Sequence, residues 1–100
     1  MIITVEEGEI GSIYNKAIKS YKACIYNDEN SYLRDEVSIP LELIELKRDN
    51  ISIRFYEQET ETYNLEVNLK LYDLSKNEIG KYVYIQDEAG DFVDEFLIFK

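Results

Sequence analysis

The spacing of apolar residues changes once along this chain, from a helical period to an alternating one. Between residues 10 and 25, eight side chains recur at the i, i+3, i+4 and i+7 positions: Ile10, Ile13, Tyr14, Ala17, Ile18, Tyr21, Cys24 and Ile25. At 100° per residue they fall within an arc of roughly 140°, the width of a core-facing helical stripe. The pattern predicts one amphipathic helix that begins near Ile10 and ends at Asn27–Asn30, with lysines on its exposed side.

The rest of the chain has the character of strands. Residues 1–6 are rich in β-branched side chains, and five later segments alternate or are continuously apolar: 37–46, 51–56, 62–71, 81–86 and 92–100. Pro40 cannot donate a ladder hydrogen bond, so we expect the segment that contains it to lie at an edge or to carry a bulge. Residues 47–50 and 87–91 are predicted turns, the second with Gly90 at positive φ.

The last strand is apolar on both sides toward its end, so we expect it at the centre of the sheet or beneath the helix. The sequence therefore predicts a single α+β domain over residues 1–100. In it, one N-terminal amphipathic helix packs on an antiparallel sheet of five or six strands, in two layers.

Most catalytic site types are missing. The chain has no histidine and one cysteine, Cys24, which excludes Ser-His-Asp and Cys-His machinery, His-ligated zinc and an internal disulfide. Asp91, Asp94 and Glu95 could supply an acid and a base, but a domain this small leaves little room for a sugar cleft. We therefore expect no enzyme activity and no cofactor.

Clustered carboxylates also suit a metal ion. Weak Ca²⁺ or Mg²⁺ binding at Asp87, Glu88 and Asp91 is one alternative, although the spacing fails that of an EF-hand loop. Solvated turn carboxylates are the other, and the simpler, explanation. We predict no metal site.

The formal charge of −10, from 21 acidic and 11 basic residues, limits the partners. Such a chain repels nucleic acid and anionic membranes but attracts a basic protein. It has neither a signal-peptide pattern at its N-terminus nor an apolar run of the roughly 18 residues that span a bilayer. We expect a cytoplasmic protein that binds neither nucleic acid nor a membrane. A homodimer is allowed but not required.

Two acidic stretches form the candidate binding surface. Gln86–Phe96 holds five carboxylates, and Glu57, Glu59 and Glu61 share one strand parity, in both cases without a lysine or arginine among them. Tyrosine gives a large contact area with little conformational freedom to lose, so we include two that we expect to be exposed. The predicted partner-binding residues are Tyr56, Glu57, Glu59, Glu61, Tyr84, Asp87, Glu88, Asp91, Asp94 and Glu95.

A small, acidic, histidine-free α+β chain that ends "IGKYVYIQDEAGDFVDEFLIFK", Ile79 to Lys100, resembles the immunity proteins that neutralise bacterial polymorphic or contact-dependent toxins. Phage-encoded anti-defence proteins share the same character. The resemblance implies direct binding to a cognate toxin, often a nuclease, whose active site or substrate groove is blocked. Immunity proteins share no common signature, so no residue role is carried over. The alternative is a structural or regulatory assembly subunit, bacterial or phage, whose acidity only keeps it soluble.

Overall fold

The computed structural model describes residues 6–56 and 59–100, without the side chains of Tyr56 and residues 59–61. The predicted strand at residues 1–6 therefore lies almost wholly outside the described residues. Helix α1 comes first, and two short 3₁₀ helices, Asp28–Asp35 and Leu41–Leu43, connect it to the sheet. The bounds of the regular elements are α1 Glu7–Tyr26, β1 Glu45–Tyr56, β2 Glu59–Tyr72, β3 Glu78–Asp87 and β4 Phe92–Phe99.

Helix α1 confirms the predicted stripe and begins three residues before Ile10. Glu7 and Glu9 occupy its first turn, where the positive end of the helix dipole favours anions. The buried residues are Tyr14, Ala17, Tyr21 and Ile25, all members of the stripe. At the other end Asn27 leaves the helix, and its side chain accepts a hydrogen bond from the Glu29 backbone N–H at 3.0 Å. This bond opens the first 3₁₀ helix.

The sheet has four strands in the described residues, in the order β1-β2-β3-β4, and each neighbouring pair is antiparallel. For the described residues the prediction of five or six strands is wrong: only the last two residues of the predicted strand 37–46 are in a strand, and they belong to the same strand, β1, as residues 51–56. Residues 47–50 form no turn: β1 continues through them, with a register irregularity between Arg48 and Asn50. Such an irregularity shifts the alternation of side chains without ending the strand.

The predicted edge strand around Pro40 is also wrong. Pro40 precedes the second 3₁₀ helix, which turns Leu41 into the core, where it is 2% exposed. The Leu41 carbonyl also lies 3.5 Å from the Tyr21 hydroxyl, which donates to it. This segment therefore closes one side of the core under α1 instead of extending the sheet.

The core lies between α1 and one face of the sheet, as the two-layer prediction requires. On β2 it takes Val67, Leu69 and Leu71, and on β3 it takes Tyr82 and Tyr84. Burial of each such aliphatic side chain contributes about 1.5–3 kcal/mol.

The opposite face of the sheet, which we call the open face, has no helix over it among the described residues. Val83 and Ile85 of β3 lie on it, paired with Phe96 and Asp94 of β4. Neither belongs to the core cluster, although both are 9% exposed. Their burial therefore comes from neighbours on the open face, including β4.

Among the described strands β4 lies at an edge of the sheet, so the prediction that it is central is wrong for this part of the chain. Its register with β3 puts Leu97 beside Tyr82 and Phe99 beside Gly80, on the core side. Both pack partly against the core. This agrees with the alternative prediction, in which the last strand lies beneath the helix. Phe96 and Ile98 point to the open face and remain about half exposed. The strand is apolar on both faces, but only one face is covered within the described residues.

Candidate functional site

The order of the strands brings two acidic connections to one end of the sheet. Because the strands run up and down in sequence, the β1–β2 connection and the β3–β4 turn lie at the same end, and the β2–β3 turn lies at the other. Asn64 pairs with Asp87, the last residue of β3. The five β2 residues before Asn64 therefore run past the end of β3.

The β3–β4 turn is held by the first of its own carboxylates. Asp87 Oδ1 accepts hydrogen bonds from the backbone N–H groups of Ala89 at 3.0 Å and Asp91 at 2.9 Å. Gly90 has φ of 91°, which confirms the predicted positive φ. The structural use of Asp87 leaves Glu88 and Asp91 exposed at the tip of the turn.

The first turn of α1 joins this end. Glu9 and Glu88 line the same shallow groove, together with Tyr63 of β2. Lys16 also lines it, and its ammonium group donates to the Gly90 carbonyl across 3.3 Å. We call the surface formed by Glu9, Asp87, Glu88 and Asp91 the acidic end.

Some acids elsewhere in the molecule are paired with bases. Four ion pairs form among the described residues, and their acidic members are Glu45, Glu66 and Glu78. Glu45 and Glu78 lie at the end of the sheet opposite the acidic end, with Lys76, Lys70 and Lys100 as their partners. No residue of the acidic end belongs to any of the four pairs. The carboxylates of the acidic end therefore have no ion-pair partner in the described residues, although Lys16 lines the same groove.

The two remaining acids of the predicted binding segment point to opposite faces of β4. Asp94 is exposed on the open face, and its Oδ1 accepts from the Glu95 backbone N–H at 2.8 Å. Glu95 turns toward α1, where its Oε1 accepts from the Tyr82 hydroxyl at 3.0 Å. Glu95 is half-buried and is thus separated from the exposed acids of the turn.

Glu95 also lies beside Cys24 of the helix. Burial, and after it the charge and hydrogen bond of Glu95, raises the pKa of the Cys24 thiol from 9.0 to about 11. The sulfur is accordingly a neutral thiol near neutral pH, in keeping with its position in the apolar stripe.

The expected exposure of Tyr84 is wrong. Its side chain is 5% exposed and its ring lies 6.1 Å from that of Phe92. Burial, and then the charges of Asp87 and Asp91, raises its pKa. Tyr84 therefore packs beside the acidic turn and offers little contact area to a partner protein.

Four other predicted residues lie in the β1–β2 hairpin. Glu57 lies outside the described residues. The backbones of Tyr56, Glu59 and Glu61 belong to β1 and β2 at the acidic end, but their side chains lie outside the described set. Their contribution to a binding surface stays a prediction.

Sequence reasoning missed two parts of this surface. The sequence predicts for Glu9 a role at the helix dipole, and the fold also places it in the same groove as Glu88. The sequence predicts an interior position for the apolar pair Phe96 and Ile98, which the structure exposes. The apolar residues on both faces of β4 were the only sign in the sequence of an apolar open face. The described residues contain no group of three or more His, Cys, Asp or Glu arranged to hold a metal ion.

The fold and the site define a small α+β domain with an acidic end and an exposed edge strand. No protein family model matches the chain, and neither does any curated protein or solved structure. Among the helices of the described residues, none is both long and apolar enough to cross a membrane.

Proposed function

We propose that this chain is a non-catalytic protein-binding inhibitor that uses its acidic end to cover a basic site of a partner protein. The partner would be a cytoplasmic toxin, such as a nuclease, which the chain neutralises as an immunity protein does. A basic groove that normally holds nucleic acid attracts the same negative surface that the nucleic acid presents.

One observation carries the proposal: carboxylates from separate parts of the sequence lie at one end of the molecule, and although Lys16 lines the groove there, none of them is in an ion pair of the described residues. Glu9 comes from α1, whereas Glu88 and Asp91 come from the β3–β4 turn, nearly eighty residues later. Like charges gathered at one end of a molecule repel one another. A basic partner would relieve that repulsion and would be steered toward this end from a distance.

The test needs a variant that removes charge without disturbing the turn. Glu88→Gln with Asp91→Asn meets this requirement because the side chains of both residues are exposed and neither accepts the hydrogen bonds that hold the turn. Asp87 and Glu95 stay unchanged because their carboxylates bind other groups of the chain.

Asp35→Asn with Glu36→Gln is the matched control. It changes the net charge by the same two units on exposed residues, and Glu36 lies near Asp73 and Lys100, at the end opposite the acidic end. Each tagged form is used to capture proteins from a lysate of the native organism at low and at high salt. We expect the wild type and the control to recover one basic protein in a 1:1 ratio, weakened by salt.

The Glu88/Asp91 variant should bind that protein with slower association and a smaller dependence on salt. Equal loss of binding in both variants would show that binding depends on the net charge of the chain and not on the acidic end. Recovery of only the chain itself would contradict the proposal and favour the second candidate, an assembly subunit. The exposed apolar side chains of β4 support that second candidate.

A further inference from the structure

We propose that β4 pairs with β4 of a second copy of this chain, so that two four-stranded sheets join into one of eight strands around a two-fold axis. The proposal concerns an edge of the sheet and does not depend on the acidic end or on its partner. Four features of the strands support it: the outward backbone groups of β4, its exposed apolar side chains, its charges and its contrast with β1.

The backbone of β4 has its free hydrogen-bonding groups at alternate residues. The Lys100 N–H donates to the Ile79 carbonyl of β3 at 2.8 Å. Since pairing alternates along an antiparallel ladder, the N–H and C=O groups of Glu95, Leu97 and Phe99 point away from β3. The Glu95 N–H donates to Asp94 Oδ1 at 2.8 Å, so the donors of this row without a bond inside the chain are those of Leu97 and Phe99. The register from Phe99 to Asp94 is uninterrupted, so these groups form a straight row along the edge.

The side chains beside that row are unusually apolar for an edge. Phe92, Val93, Phe96 and Ile98 are four of the large hydrophobic residues that the described surface exposes, and all belong to one strand of eight residues. Phe96 and Ile98, at 47% and 49% exposure, adjoin the buried Val83 on the open face. A second copy would extend this apolar band across the edge.

The charges on β4 select the register of such a pair. If Leu97 lies opposite Leu97 of the partner subunit, Asp94 lies opposite Lys100 of the partner subunit, and the pair occurs twice. In the same register Phe96 faces Ile98 of the partner subunit. Asp94 Oδ1 releases the Glu95 N–H when it turns to Lys100 of the partner subunit, and all three outward backbone positions are then used. A register centred on Glu95 would oppose two glutamates, and one centred on Asp94 would oppose two aspartates, so both are disfavoured. Lys100 can leave Glu78 because Lys70 also contacts that carboxylate, at 3.8 Å.

The other edge of the sheet is protected against such pairing. Strand β1 carries the exposed charges of Lys47, Arg48 and Asp49 at a register irregularity between Arg48 and Asn50. Charges and bulges are the devices by which edge strands avoid association. Strand β1 also exposes Ile53 and Phe55, but strand β4 has neither a charge nor a bulge between Glu95 and Phe99 on its open face. Among the described strands β4 is therefore the edge better suited to pairing.

Charge reversal tests the proposal, because it should weaken the dimer even where the lower net charge of the variant would favour association. Sedimentation equilibrium at about 0.15 M salt should give a species of twice the 11.8 kDa chain mass. Asp94→Lys makes the chain less acidic, which on general grounds should favour association. We expect it instead to weaken the dimer about tenfold in Kd, because two attractive pairs become repulsive. Lys100→Asp should weaken it similarly.

Combining the two charge reversals should restore the dimer, and this result distinguishes the proposed register from a general effect of charge. A mixture of the Asp94→Lys and Lys100→Asp chains should form heterodimers, and the double variant Asp94→Lys/Lys100→Asp should recover homodimers. Circular dichroism checks that each variant folds, and Glu88→Gln/Asp91→Asn should leave the dimer unchanged. A wild-type chain that stays monomeric at concentrations up to about 100 µM would overturn the proposal. A dimer that ignores both reversals, or that shows no rescue, would overturn it as well.

Discussion

The Tyr82 hydroxyl donates a hydrogen bond to Glu95 across 3.0 Å, which links the middle of β3 to the edge strand beneath the helix. The same hydroxyl lies 2.8 Å from Ser20 Oγ, so three elements meet at one buried oxygen. The Tyr82 ring is fully buried and packs edge-on against Tyr21 at 5.5 Å. Burial raises the pKa of Tyr82, which keeps the hydroxyl protonated and able to donate.

Tyr82→Phe should destabilise the fold by about 1–3 kcal/mol, because the half-buried Glu95 carboxylate loses its donor. Urea unfolding followed by circular dichroism measures this loss. Tyr26→Phe is the matched control because Tyr26 is 60% exposed, and we expect less than about 0.5 kcal/mol there. Equal effects in the two variants would show that the Tyr82 hydroxyl has no role in holding β4.

Leu69→Ala should cost about 2–5 kcal/mol, since Leu69 is 1% exposed between α1 and the sheet and its removal leaves a cavity. Leu74→Ala changes the same side chain at 66% exposure in the β2–β3 turn and should cost far less. The measurement is the midpoint of thermal unfolding for both variants. A larger shift for Leu74→Ala would contradict the placement of the core.

Gly80→Ala should loosen β4 from the sheet. A Cβ at Gly80 would collide with the backbone carbonyl of Ile98, a strand group that cannot swing aside as a side chain can. Amide hydrogen exchange should therefore accelerate along β4 more than along β1 and β2. Gly11→Ala is the control: its Cβ would meet nothing within 4 Å, and alanine should stabilise the helix by about 0.5–1 kcal/mol. Unchanged exchange in β4 of Gly80→Ala would contradict the β3–β4 register.

Cys24 should resist alkylation while the protein is folded. Its pKa of about 11 keeps the thiolate fraction low at pH 8.5, so iodoacetamide should react more slowly than with the chain unfolded in urea. The folded thiol also holds its proton to higher pH than an unfolded thiol with a pKa of 9.0. Its contribution to stability is therefore complete below pH 9 and is lost between pH 9 and about pH 11.

Cys24→Ala separates this contribution from that of the buried tyrosines, whose ionisation also opposes folding at high pH. The variant should lose less stability than the wild type between pH 9 and pH 11, as measured by urea unfolding at several pH values. A parallel decline in both proteins would show that the tyrosines alone account for the alkaline limit.

Helix α1 and strand β2 could be predicted because their patterns have one period and one buried face. Tyr14 and Tyr21 are buried as the stripe requires, and Val67, Leu69 and Leu71 follow the alternation of β2. Strand β1 could not be delimited, because the irregularity after Arg48 shifts the parity in a stretch whose Asp and Asn residues are typical of turns.

The faces of β3 were ambiguous for a different reason. Tyr82, Val83, Tyr84 and Ile85 are apolar at both parities, so sequence alone could not show which parity faces α1. The structure assigns the tyrosines to the core and the aliphatic pair to the open face. The acidic turn itself was predicted, but its meeting with Glu9 depends on how the helix lies over the sheet, which no local pattern encodes.

Because each strand pairs only with its neighbour in sequence, the sheet can assemble hairpin by hairpin, and little chain entropy is lost before each ladder forms. The slower step is then the docking of α1, whose contacts with β2 and β3 span long stretches of chain. During synthesis the helix leaves the ribosome before the sheet and must wait for β3 before its apolar stripe is covered. Strand β4 follows the other three strands, so the edge that would meet a second copy is completed only when most of the core behind it already exists.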